Sequence, residues 1–226
     1  ERGESEMRFD LHVHTSHSGD SHSAVEEVLE ACVRAGLGGV AIMDHNSLGG
    51  SRYAMSLKRE DILIIPGMEV SSARGHILAY NVHEEIPRDL EVGETIDLIR
   101  AQGGIAVAAH PYRVWSGLGE EVTRANDFDA IEVHNARSTR SHNELAAKLA
   151  VSMCRPFTAG SDSHEPDTVG KAYYLSSRDC YSAEEVIRDV LSGNGSTGGR
   201  HRPKTDTLGY GIKCIGEWLG RGFKRM

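Results

Sequence analysis

The sequence lacks any apolar run approaching the roughly 20 residues that a membrane-spanning helix needs. Its longest, residues 38–43 and 62–65, are strand-sized. Residues 1–6 are charged and carry no apolar core of the secretory kind, so no secretion signal and no transmembrane segment are expected. No Cys-x-x-Cys pair occurs among Cys32, Cys154, Cys180 and Cys214, which argues against a structural zinc knuckle. A reducing, cytoplasmic setting is the simplest expectation. Also missing are a Gly-x-Ser-x-Gly nucleophile elbow, a Walker loop and a Gly-x-Gly-x-x-Gly turn, which excludes P-loop and Rossmann readings. Basic residues are in deficit, 25 Lys and Arg against 33 Asp and Glu, for a net charge of −8. That balance argues against broad, sequence-blind nucleic-acid binding.

What is present fits one large α/β domain: 226 residues, 39% of them hydrophobic. Strand-like segments at 8–13, 39–43, 62–65, 75–82, 105–109, 129–133, 156–159 and 171–175 alternate with helical patterns at 23–35, 92–101, 139–151 and 182–191. Ser23 is the expected cap of the first helix, and Ser182 with Glu185 forms a capping box for the last. Such βα repeats imply a mostly parallel sheet, open or closed into a barrel. The barrel is favoured because polar residues collect just after the strands, where barrel enzymes place their chemistry. The barrel is expected over 7–193. Residues 194–226 read as a Gly-rich, basic linker and an amphipathic segment carrying Leu208, Ile212, Ile215, Trp218, Leu219 and Phe223. Three readings of that segment stand side by side: docking on the barrel, self-association, or contact with an anionic membrane or nucleic acid.

Histidine is over-represented, at twelve residues, and sits at strand ends beside Asp, Glu or small residues. In Asp10-Leu11-His12-Val13-His14 the two imidazoles stand at i and i+2 of a strand, on one face about 7 Å apart. Asp20 follows in a polar loop. The same grammar recurs in Met43-Asp44-His45, Gly67-Met68-Glu69, Gly75-His76, Ala109-His110-Pro111, Glu132-Val133-His134-Asn135 and Gly160-Ser161-Asp162-Ser163-His164. Any one of these could be a satisfied core histidine. So many ionisable groups gathered near one axis would be very costly to bury unless cations neutralised them.

Taken in order, these motifs resemble the PHP (polymerase and histidinol phosphatase) family of metal-dependent phosphoesterases, over roughly residues 7–191. The resemblance implies a distorted (β/α)7 barrel with two to three divalent ions (Mn2+, Zn2+ or Fe2+) at its C-terminal mouth. It implies that His12, His14, Glu69 and Asp162 hold one ion, that Glu69 bridges to a second held by His76 and His110, and that Asp20, His45 and His164 hold a third. His76 rests on a Gly-His pair alone. Asp20 stands where some members have His, which shifts preference toward a harder ion such as Mn2+.

Closely spaced divalent ions favour phosphate-ester hydrolysis, here by a metal-bridging hydroxide, with Glu69 and Asp162 at its centre. The substrate expected is a small phosphometabolite or nucleotide. The alternatives are a nuclease acting on nucleic-acid 5′ ends and a non-catalytic accessory module of the kind polymerases carry. Arg113 and Arg137 follow strand-end motifs and are candidate phosphate ligands; Arg74 and Lys171 are weaker ones. Asp44 is expected to orient a ligand histidine. His134 is a candidate either to protonate the leaving oxygen or to hold structure. Only 33 residues separate His76 from His110, too few for the capping insertion of several related phosphatases, so an open pocket is expected. Tyr112 and Trp115 are placed either to stack on a base or to pack on the barrel rim.

Overall fold

The structure, a computed structural model, describes residues 7–203; the amphipathic segment at 204–226 lies outside them. Strand β1 (Arg8–Val13) is buried at every position but its first, as expected of a strand covered on both faces. It pairs parallel with β2 (Gly39–Ile42) and antiparallel with β9 (Ala172–Leu175). Strand β3 (Leu63–Ile65) extends this sheet beside β2, and β10 (Ser196–Gly199) closes its other edge against β9. The segment read as linker therefore begins with a strand.

At Pro66, which has no N–H to offer a ladder, the chain leaves this sheet and enters a second. There β4 (Gly67–Ser71), β5 (His76–Tyr80) and β6 (Ile105–Ala108) run antiparallel, followed in parallel by β7 (Ala130–Asn135) and β8 (Phe157–Gly160). The described strands thus form two mixed five-stranded sheets and no closed (β/α)7 ring. The reason is local: β4 and β5 are joined by a tight turn at 72–75, too short for a helical crossover. Isolated bridges, Val13 with Ser163 and His45 with Glu69, stitch the sheets together. His14 N–H to Ser163 O (2.8 Å), Asp162 N–H to His12 O (2.7 Å) and Asn46 N–H to Glu69 O (2.8 Å) reinforce these joins.

The sheets share an apolar interior containing Phe9, Leu11, Met43, Ile65, Leu78, Val107 and Tyr174. Helix α1 (Val25–Arg34) packs outside the first sheet through Val25, Val28, Leu29 and Cys32. Helices α3 (Val92–Ala101) and α5 (Arg140–Ser152) cover the second. Helix α6 (Ala183–Ser192) begins with the expected cap, the Ser182 side chain accepting the Glu185 N–H, and ends at Gly193 in the left-handed region. Two further helices, α2 (Gly49–Ser56) and α4 (Gly119–Ala125), carry weak apolar patterns and were not read from the sequence. Among the described residues no helix is long and apolar enough to cross a membrane.

Candidate metal centre

All nine residues expected as ligands converge between the strand ends. The first sheet and its loops supply His12, His14, Asp20 and His45; the second supplies Glu69, His76, His110, Asp162 and His164. Glu69, almost fully buried, is the hub. One of its oxygens (Oε2) lies 3.1 Å from His12 Nε2, 3.2 Å from His14 Nε2 and 3.5 Å from His45 Nδ1. The other (Oε1) lies 2.9 Å from His76 Nδ1 and 3.0 Å from His110 Nε2. Asp162 Oδ1 is 3.4 Å from His14 Nε2, and its Oδ2 is 3.9 Å from His110 Nε2. Asp20 Oδ2 stands 2.6 Å from His164 Nε2 and 3.7 Å from His45 Nε2.

Donor atoms cluster closely enough for a shared ion in four overlapping groups: His14 with Asp20, His45 and His164; His12 with His110 and Asp162; His12 with His14 and Glu69; and His45 with Glu69 and His76. His12, His14, His45 and Glu69 each serve two groups, so the donors form one continuous array.

The donor set fits divalent cations. The Nε2 atoms of His12 and His14 face each other at 3.1 Å, a spacing at which two lone pairs repel unless a cation or a proton lies between them. His45 Nδ1 and His110 Nδ1 are buried without a hydrogen-bond partner. Burial pushes the His14 imidazole down, yet Asp162 and Glu69 outweigh it and hold it up at about 9, a sign of surplus negative charge. Burial, with Arg113 beside one and Arg137 beside the other, lowers His110 and His164 to about 4. Those imidazoles stay neutral near pH 7, the form that ligates.

The local backbone is bent to bring these groups together. His110 and Asp162 adopt φ of 27° and 53°, left-handed values uncommon for side-chain-bearing residues. Gly160 is required where β8 meets β1, because a Cβ there would lie 2.4 Å from His12 Cβ.

Several supporting residues differ from expectation. Asp44, expected to orient a ligand histidine, accepts the Thr15 N–H (2.6 Å) and hydroxyl (2.7 Å) and so fixes the turn that follows His14. The carboxylate that orients His12 is Glu132, 2.9 Å from Nδ1, whose second oxygen accepts the His110 N–H. Asn135, fully buried, donates to Glu132 and Asp162 and accepts from Arg113. Both were missed, although both stand in the Glu132–Asn135 motif beside the histidine that drew attention.

His134 itself joins none of the candidate ion groups. A bulge between Glu132 and His134 breaks the i, i+2 alternation. The ring stacks on His201 at 4.5 Å, with its Nε2 3.1 Å from the Arg200 carbonyl. Ser23, expected as the α1 cap, instead donates to the His164 carbonyl.

The arginines do arrive. Arg113 lies 2.6 Å from Asp162 Oδ2, and Arg137 lies 3.3 Å from Asp162 Oδ1 and 2.7 Å from His164 Nδ1. Arg74 and Lys171 are exposed. Of the two aromatics, Tyr112 is tied to Glu120 by a 2.7 Å hydrogen bond and packs on the core, whereas Trp115 is 92% exposed.

Comparison with known proteins agrees with this geometry. The profile of the PHP domain matches residues 10–151, and that of a PHP-associated region matches 140–194. A protein of Methanocaldococcus jannaschii, described only as uncharacterized, is 34% identical over 142 residues, 58% of this chain and 82% of its own. Among solved structures, a two-domain protein from Bacteroides vulgatus containing a PHP-like metal-dependent phosphoesterase superposes with a TM-score of 0.73 at 15% identity, over 88% of this chain and 66% of that one. A lesion-specific endonuclease from Pyrococcus furiosus superposes with a TM-score of 0.67 at 16% identity, over 84% of this chain and 57% of that one.

Proposed function

This chain belongs to the PHP domain family, and on that premise we propose that it hydrolyses phosphate monoesters of small metabolites or nucleotides with two to three divalent ions (Mn2+, Zn2+ or Fe2+). The ions would be held by His12, His14, Asp20, His45, Glu69, His76, His110, Asp162 and His164. When bound, they acidify water and neutralise charge on the phosphate oxygens.

The observation that carries the reading is the pair of guanidiniums on Asp162. Arg113 and Arg137 both reach a carboxylate that also belongs to the ion array. Cations held beside an ion cluster suit an anionic substrate with several oxygens to bind, and arginine's planar fork matches a phosphate. Glu132 and Asn135 fix the imidazole and the carboxylate that must not turn away. Burial of the array limits competing water.

Elemental mass spectrometry, paired with a phosphate-release screen on the same sample, tests the proposal. Two to three ions per chain and release from one class of monoester are expected. Less than one ion per chain after metal-replete preparation, with no release, would overturn it. A second reading is cleavage at nucleic-acid 5′ ends; the likeness to the endonuclease is compatible with a nucleic-acid substrate. Mononucleotides released from a 5′-phosphorylated oligonucleotide, in place of inorganic phosphate, would select it.

A further inference from the structure

We propose that Trp115 is a stacking platform for a nucleobase, so that the phosphate entering the site is carried by a nucleotide or a terminal nucleotide. The proposal rests on the phosphoesterase reading and names its substrate class.

The loop from His110 to Gly119 is folded tightly on itself. Arg113 N–H bonds His110 O, Gly117 N–H bonds Arg113 O and Gly119 N–H bonds Pro111 O, each at 2.9 Å. Gly117 is required inside it, since a Cβ would come within 2.5 Å of Pro111 O. Gly75 lets β5 approach, because its Cβ would meet the backbone of residues 116–118 at 2.9–3.0 Å. Both flanks of Trp115 are tied to the ion array. Two residues before it, Arg113 grips Asp162; one residue after it, Ser116 O accepts the His76 N–H at 3.0 Å.

On this rigid pedestal the indole is left in water, 92% exposed, with Val114 beside it at 63%. Its backbone holds φ of 81°, strained for so bulky a residue. A folding chain gains nothing from either feature, which points to a ligand. Trp115 is the one tryptophan among the described residues, and Tyr112, the other aromatic of the loop, is already committed to Glu120 and the core. The Cα atoms of residues 113 and 115 lie at most about 7 Å apart. The indole and the Arg113 guanidinium therefore spring from neighbouring points of one loop. A single ring stacks on any base, so the platform selects nucleotides as a class and not one base. The net charge of −8 disfavours a long duplex as the bearer of that base.

The test uses the full chain in a W218F background, which leaves Trp115 as its sole indole, together with W115A and W115F. Probes are adenosine 5′-monophosphate, adenosine 3′-monophosphate, ribose 5-phosphate and a 5′-phosphorylated tetra-adenylate. W115A should raise KM for its adenosine substrate about tenfold and leave ribose 5-phosphate unchanged, with W115F recovering most of the loss. Trp115 fluorescence should be quenched saturably by the adenosine probes and not by ribose 5-phosphate. The tighter quencher, mononucleotide or tetramer, identifies the source of the base. Equal effects of W115A on adenosine and ribose phosphates, or no quenching, would overturn the proposal. So would a W115A-sensitive self-association with no nucleotide effect. If the unmutated chain releases phosphate from none of the probes, the phosphoesterase reading fails, while the fluorescence arm still decides whether Trp115 binds a base.

Discussion

The two oxygens of Glu132 receive N–H donors from opposite directions: the ring of His12 and the backbone of His110. Glutamine at this position must aim its NH2 at one of them. E132Q should therefore weaken metal binding about ten- to a hundredfold, read by competition titration against a chromophoric chelator, with little change in circular dichroism. Asn135 poses the converse problem. Its NH2 donates to two carboxylates, Glu132 and Asp162, and N135D would set a third against them. We expect N135D to destabilise the fold by roughly 3 kcal/mol and more than N135A does, as measured by urea denaturation. Both residues stand in the Glu132–Asn135 motif, but their roles are not legible there, because a supporting carboxylate or amide carries no spacing signature of its own. The nine candidate ligands were legible because histidines and carboxylates recur in or beside buried strands, with Asp20 in a loop and His76 opening its strand named as ligands only through the family resemblance. His134 follows the same rule and is turned elsewhere by a bulge that no residue announces.

Elements show the same division. Strands β1, β2 and β6 and helices α1, α3, α5 and α6 are legible from period and caps. The division into two mixed sheets in place of the expected ring is not, since it depends on how β4, β5 and β6 pair, and Pro66-Gly67 reads equally as an end or as a passage between sheets. The crossing of β8 over β1 gives a sharp test: G160A places a Cβ against His12, and overpacking of that kind costs about 1–3 kcal/mol. It should lower both the thermal midpoint and metal content.

The stretch after β10 offers another test. His134 supports it through Arg200 O, Asn143 holds His201, and Arg202 N–H bonds Ser138 O. Burial lowers His134, His142 and His201; neighbouring Arg202 and Arg113 add to this at His142, as do His201 at His134 and Arg140 at His201, while Glu132 and Glu144 oppose it. Groups lowered in the fold bind more protons when unfolded, so their stability is present above the ordinary histidine value of about 6.5 and is lost as pH falls below it. The protection factors of the Arg200 and Arg202 amides, corrected for the intrinsic exchange rate, should fall on acidification from pH 7 to 5, ahead of those of the core strands.

On the scale of the whole molecule, the ion array spans both sheets, so each bound ion would link them beside the bridges at Ser163 and Glu69. Chelation should lower the melting temperature by about 10 °C, from roughly 4 kcal/mol of linkage at a thousandfold excess of ion over Kd. Exchange at the His14, Asp162 and Asn46 amides should respond first. An unchanged melting curve after complete metal removal would count against ions acting as links.

The same arrangement dictates an order of assembly. The donors run from His12 to His164, and β1 gains its outer neighbour only with Ala172–Leu175. During synthesis the first strand therefore waits, with one edge unpaired, for nearly the last. A ribosome-bound chain halted before residue 160 lacks Asp162 and His164, so it would have only part of the cage to offer an ion.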